Sequence, residues 1–302
     1  MTSDVTSVVH PPRGSTERAE LINTLTGHAK LVRRETVRLA SIAGAGHYTG
    51  TFSAAELFAV LYGAQLRYRP DEPTWPDRDR FVLSKGHAAI GLYPLLAHVG
   101  FFDPSLLDNY TRLGSPFGDH PDMRKVPGID FSSGSLGHGL SVSAGFALAA
   151  RVQRRTYRTY CMLGDGELGE GQVWEAAMAA GQYRLGSLVA IIDRNQLSID
   201  GPTESLMGVE PLVDKFRAFR WDVQRIDGHD HDAILDAFNA LAPPGEGAPQ
   251  LVVADTVKGR GVQRMELDTN WHVGNLTGAD YDDVLAEIGA GLQPVKAGGS
   301  HG

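Results

Sequence analysis

The 302-residue chain is 42% hydrophobic and 21% charged, which suits a soluble globular protein with a sizeable core. A formal charge of −8 and a pI near 5.7 argue against a general nucleic-acid or anionic-membrane binder, and a single Cys161 excludes an intrachain disulfide framework. The N-terminal MTSDVTSVVHPPRG has no signal-peptide pattern and no apolar run approaches the roughly 18 residues of a membrane span, so the expectation is a cytoplasmic protein.

In chain order, residues 1–14 read as a flexible arm, 15–295 as a single domain and 296–302 as a frayed tail. Ser15-Thr16-Glu17 can cap a helix running toward Ile42, with Leu21, Ile22, Leu25, Leu31 and Val32 near helical spacing, and Gly44-Ala45-Gly46 stops it. A second helix, Phe52–Tyr62, carries the capping-box pattern Ser53-Ala54-Ala55-Glu56. Arg80–Ser84 is a short strand delivering Lys85-Gly86-His87, and Gly139–Arg151 is a helix rich in small residues. Then follow strand Tyr157–Leu163, helix Gly171–Tyr183, strand Ser187–Asp193, strand Trp221–Ile226, helix His231–Leu241 and strand Leu251–Ala254. Alternation of this kind gives an α/β fold, a mostly parallel sheet with helices on both faces.

The stretch Gly164-Asp165-Gly166-Glu167-Leu168-Gly169-Glu170-Gly171 looks like a phosphate-cradling loop, yet it holds three acids and no lysine. If Tyr157–Gly201 is one β-α-β crossover, Asp165 lies just past one strand and Asn195 just past the next. Their separation of 30 residues is about one such repeat, and both side chains face the crevice where open α/β sheets bind ligands. Carboxylate and amide oxygens are hard ligands, and Mg²⁺ typically takes one or two carboxylates with phosphates completing its shell. A divalent cation between acid and phosphate explains the missing lysine. Gly-Asp-Gly alone is equally a tight turn; its pairing with Asn195 is what points to a ligand site.

This constellation resembles the thiamine-diphosphate motif, and GDGELGEGQVWEAAMAAGQYRLGSLVAIIDRNQLSIDG resembles the cofactor segment of transketolases, over about residues 20–275. The resemblance implies a thiamine-diphosphate-binding domain with Asp165, Asn195 and the carbonyl of Leu197 as ligands of Mg²⁺, or of Ca²⁺ or Mn²⁺ in its place. Gly164, Gly166 and Glu167 fall beside the diphosphate, Glu167 without an individual role, and Glu170 falls in the network linking paired active sites. His47 (GAGHYTG), His120 (GDHPD) and His272 (NWHVGN) would line the substrate channel, and His87 (SKGHA) and His272 would approach the diphosphate. Gly134 and Leu136 (SSGSLGHG) would contact the aminopyrimidine, with His138 beside them where many transketolases have Gln. Two departures are Arg194, where relatives often have Asn, and Val273, where Gly commonly follows the histidine. Imidazoles suit this work because they bond hydroxyls and move protons near neutral pH.

Asp227–Asp232 (DGHDHD) offers His229 and His231 to a metal, but a loop entering a helix N-terminus explains it better. Cys161 reads as a small core residue. The resemblance implies ketol transfer from a ketose, with phosphorylated sugars as substrates, to an aldose. The pyrimidine and C-terminal domains of a full transketolase are not recognisable, so the expected partner is a second chain carrying them, in a heterotetramer of two plus two. The rival is the alpha-type subunit of a 2-oxoacid dehydrogenase or another acyloin-forming thiamine enzyme. A Mg²⁺-nucleotide phosphotransferase is disfavoured by the missing G-x-x-x-x-G-K-[ST].

Overall fold

The computed structural model describes residues 8–245 and 247–292. Ten helices among them are α1 (Thr16–Ala43), α2 (Thr49–Phe52), α3 (Ala55–Val60), α4 (Ala89–His98), α5 (Gly139–Val152), α6 (Gly171–Gln182), α7 (Thr203–Leu206), α8 (Leu212–Ala218), α9 (His231–Asn239) and α10 (Ala279–Ala290). Five strands, β1 (Arg80–Leu83), β2 (Thr159–Gly164), β3 (Leu188–Arg194), β4 (Asp222–Asp227) and β5 (Gln250–Asp255), form one sheet in the order β1-β2-β3-β5-β4, every pairing parallel.

Two-residue alternation sorts the sheet's side chains. Cys161, Leu163, Ala190, Ile192, Leu251 and Val253 pack under α5, α6 and α8, whereas Tyr160, Met162, Val189, Ile191, Val252 and Ala254 pack against α1, α3, α4 and α9. Covered on both faces, β2 and β3 read as continuous apolar runs, as parallel central strands do.

α1 begins and ends as its sequence indicates: Ser15 Oγ accepts from the Arg18 amide at 3.1 Å and Gly44 closes the helix at φ 82°. The capping box does not form. The helix expected over Phe52–Tyr62 is broken at Ser53, whose hydroxyl instead donates to Gly50 O (3.2 Å) and to Asp193 Oδ2 (2.7 Å). Glu56 is likewise diverted into a buried bidentate pair with Arg33, at 2.6 and 2.8 Å. Tertiary partners outbid the local motif.

The N-terminal arm is shorter than expected. Residues 1–7 and the tail 296–302 lie outside the described residues, but His10 is buried, its amide donating to Asn239 Oδ1 (2.8 Å) and its Nε2 sitting 2.8 Å from Gln65 Oε1. Arg13 pairs with Asp236. Three helices escape periodic reading: α4 is apolar almost all round, with Pro94 inside it, so no polar stripe marks it. α8 and α10 bury only Leu212 and Phe216, and Val284 and Ile288, respectively.

Candidate active site

The carboxyl ends of four strands converge on one crevice of about 250 Å³. β1 delivers Lys85 and His87, β2 delivers Asp165, β3 delivers Asn195 and Leu197, and β5 delivers Lys258. This is where a parallel sheet splays its loops and leaves room for a ligand.

The floor is a lattice of buried charge. Asp193, fully buried, receives Lys85 Nζ at 2.5 Å, Ser53 Oγ at 2.7 Å and the hydroxyl of Thr256. Burial pushes the Asp193 carboxyl up, but Lys85 and these donors hold it below the ordinary range. Glu167 is buried and accepts from the Ser84 hydroxyl, the Gly137 amide (2.7 Å) and the Gly164 amide (3.1 Å). It therefore ties three loops together beneath the site, the individual role that its place in the motif does not reveal. Desolvation still raises its carboxyl above the usual value.

All three expected metal ligands reach the crevice. Asp165 Oδ2 accepts from Arg194 Nη1 (2.6 Å), the Gln196 amide (2.7 Å) and Thr203 Oγ1 (3.2 Å); burial raises its carboxyl despite that guanidinium. Asn195 is aligned by Nδ2 donating to Asp193 Oδ2 (3.3 Å), while its Oδ1 accepts from the Leu197 amide (3.2 Å). The Leu197 carbonyl accepts from Lys258 Nζ at 3.0 Å, and the Ser198 carbonyl from the same ammonium at 3.1 Å. One carboxylate, one amide oxygen and one carbonyl form an all-oxygen donor set of the kind a hard divalent cation takes, and a protein cation already rests on the carbonyl. The residues fit the group.

Four imidazoles form the wall. His47 lies with ring centroids 5.3 Å from His87, 5.4 Å from His272 and 6.5 Å from His120, and His87 lies 5.5 Å from His272. Two loops far apart in sequence are clamped by reciprocal backbone bonds between Gly46 and Gly274, at 2.9 and 3.1 Å, which brings His47 beside His272. Burial, then the charges of Lys85 and neighbouring rings, hold His87 well below its ordinary value; burial and Lys258 lower His272 to about 3. Both rings are neutral at physiological pH, and His272 Nδ1 is buried without a hydrogen-bond partner among the described residues.

Gly134, Leu136, Gly164 and Gly166 complete the lining. Two expected site residues do not line it. His138 is exposed at the start of α5, its Nδ1 3.3 and 3.2 Å from the carbonyls of Ser135 and Leu136. Glu170 is exposed at the N-cap of α6. Lysines are present after all: Lys85 and Lys258 are supplied by β1 and β5 rather than by the glycine loop. Position was their signal, since each follows the carboxyl end of a parallel strand. Burial with Lys85 alongside lowers Lys258 to about 8. His229, by contrast, is structural: Nδ1 meets Glu56 Oε2 at 2.9 Å and Nε2 accepts the Val257 amide at 2.9 Å. Among the described residues no cluster of three or more His, Cys, Asp or Glu side chains could hold a metal.

Fold and site together define a class: an open parallel α/β domain whose strand ends gather oxygen ligands, buried lysines and neutral imidazoles around a polar crevice. Comparison with known proteins narrows it. The family model for the transketolase thiamine diphosphate binding domain matches residues 26–296, and the chain belongs to the transketolase family. One of the two apulose-4-phosphate transketolase subunits of Phocaeicola vulgatus is 39% identical over 275 residues, 91% of this chain and 97% of that protein. The 6-deoxy-6-sulfo-D-fructose transketolase subunit SqwG of Clostridium sp. (strain MSTE9) is 42% identical over 264 residues, 87% of this chain and 96% of that one. Both are named as subunits, which implies a partner chain for each. Among solved structures, transketolase from Leishmania mexicana superposes with a TM-score of 0.81 at 29% identity, covering 88% of this chain but 41% of that one. No helix among the described residues is long and apolar enough to cross a membrane.

Proposed function

We propose that this chain is the thiamine-diphosphate-binding subunit of a split transketolase, moving a two-carbon ketol unit from a ketose to an aldose acceptor. The observation that carries the reading is the meeting, in one crevice, of the oxygen set Asp165, Asn195 and Leu197 with the four-histidine wall. Asp165, Asn195 and the Leu197 carbonyl would hold Mg²⁺, or Ca²⁺ or Mn²⁺ in its place. Lys85, Lys258 and His87 would face the diphosphate; Gly164 and Gly166 would let the backbone come close, and Gly134 and Leu136 would border the aminopyrimidine. When bound, thiamine diphosphate supplies the nucleophilic carbon and electron sink for cleaving a ketose carbon–carbon bond.

The residues of this chain do the rest. His47, His120 and His272 would hold ketose hydroxyls, and imidazoles that stay neutral can accept a hydroxyl proton where protonated ones cannot. Two relatives are named for a ketose phosphate and a sulfonated ketose, which supports a donor with an anionic group at its far end. The partner would be a second chain bearing the pyrimidine and C-terminal domains, in a two-plus-two tetramer. In support, Glu170 points away from its own crevice, and Ile199 on the crevice rim is 59% exposed with Leu206 and Met207 also open. A single buried cysteine is in keeping with a cytoplasmic enzyme. Titration calorimetry with thiamine diphosphate and Mg²⁺ tests the reading: binding to the native chain and loss of it in Asp165→Ala is the expected outcome, and no binding to the native chain refutes it.

A further inference from the structure

We propose that Asp119 is a positioning residue that fixes the tautomer of His47, so that Nε2 faces the sugar as a bare acceptor. The inference rests on the ketol-transfer reading for its chemistry, but its geometry stands alone. The GDHPD loop is anchored from below by two fully buried tyrosines: Tyr93 donates from its hydroxyl to Gly118 O at 3.0 Å, and Tyr110 to Asp119 Oδ1 at 3.3 Å. The same Oδ1 lies 3.3 Å from His47 Nδ1, and Oδ2 lies 3.8 Å from His120 Nδ1. The carboxylate thus sits between two histidines of the wall, held in place by Tyr110.

Proton bookkeeping then follows from the donor inventory. The hydrogen bond from His47, with the charge of both imidazoles nearby, holds the Asp119 carboxyl below the usual range, so it is ionised at neutral pH and can only accept. Tyr110 supplies one hydrogen, and the hydrogen on the His47 contact must be carried by Nδ1. A neutral ring has one such hydrogen, so Nε2 keeps its lone pair, and no described residue bonds to it. The remaining groups facing His47 are His87, His120 and His272, with Lys85 and Lys258 deeper in the crevice.

A base held in that state suits the cleavage half-reaction. The hydroxyl hydrogen beyond the breaking bond passes to Nε2 and the O–H pair becomes the new C=O. The carbon–carbon pair stays with the two-carbon unit. The imidazolium formed is stabilised by the adjacent carboxylate, and in the second half-reaction the same proton returns to the acceptor's oxygen. Asp119 touches no substrate in this scheme; it acts through His47.

The test has two arms. In the full chain labelled with [¹⁵N]histidine, the His47 ring, assigned by comparison with His47→Gln, should show a protonated Nδ1 and a bare Nε2. Asp119→Asn should keep that tautomer, because an amide oxygen still accepts, and Asp119→Ala should lose it. A protonated Nε2 in the native chain overturns the proposal. In the assembled enzyme, Asp119→Ala should lower kcat roughly 10- to 100-fold with thiamine diphosphate affinity unchanged, and should add no further loss to His47→Gln. Additive losses, or a parallel fall in cofactor affinity, also overturn it. The spectroscopic arm needs neither cofactor nor partner, so its failure is distinct from failure of the ketol-transfer reading, which calorimetry judges.

Discussion

Arg194 Nη1 lies 2.6 Å from Asp165 Oδ2, with 6% and 1% of their side chains exposed. The same guanidinium reaches Glu204 at 2.8 Å and Glu210 at 3.4 Å. In the sequence Arg194 is an incidental neighbour of Asn195; in the fold it is the counter-ion of the loop acid. Truncation by Arg194→Met strands a buried carboxylate and should cost about 3 kcal/mol. Because a divalent cation can take over the lost charge, millimolar Mg²⁺ should stabilise the variant more than the native chain in urea denaturation. Equal stabilisation of both would sink this account of Arg194.

Glu167 accepts three donors from three loops, and an amide cannot do the same. In Glu167→Gln the NH₂ group would confront either the Gly137 or the Gly164 amide, leaving a buried donor unpaired. A loss of about 2 kcal/mol is expected, with faster hydrogen exchange at both amides. Unchanged exchange would mean that Glu167 is a passive filler.

Neutral His87 makes stability depend on acid. Its folded value lies well below 6.5, so between the two values the unfolded chain binds more protons than the folded one. That part of the stability is present above pH 6.5 and is lost as pH falls through it, with a slope of at most about 1.4 kcal/mol per pH unit. The partial opening of the ring to the crevice reduces it. Chemical denaturation of native protein and His87→Asn at pH 7 and pH 5 should show the gap between them narrowing at the lower pH; a constant gap would contradict the assignment.

A Cβ at Gly46 would stand 2.5 Å from Ala40 Cβ and 2.9 Å from Ile90 Cδ1. Ala40 is on α1 and cannot yield, so in Gly46→Ala the loop must move and strain the clamp to Gly274. The expected cost is roughly 1–3 kcal/mol, with a fall in kcat in the assembled enzyme as His47 and His272 lose register. A variant of native stability and turnover would show the clamp to be dispensable.

How much of the fold and site is legible in the sequence follows the physics of each signal. β2 and β3 are short, uninterrupted apolar runs because both faces of the sheet are covered, and the 30-residue interval between Asp165 and Asn195 is set by one strand–helix–strand unit. Those features are local, and so is the glycine stop of α1. The Ser53–Glu56 pattern misleads because Asp193 and Arg33, far away in sequence, make better partners than a helix end does. Lys85, Lys258 and Asp119 carry no local signal for the same reason: their meaning lies in what the topology sets opposite them. The motif alone puts His138 and Glu170 in the site; backbone direction at the starts of α5 and α6 turns them outward.

The crevice floor sets Asp165, Glu167 and Asp193 against Lys85, Arg194 and Lys258, three acids facing three bases within the chain itself. Such a self-neutralised cleft lacks no counter-charge that a ligand must bring before it can fold. Biogenesis is thereby uncoupled from vitamin supply: the polypeptide can be synthesised, matured and held in reserve, with loading left as a later ion exchange in which incoming metal and phosphate displace internal pairs.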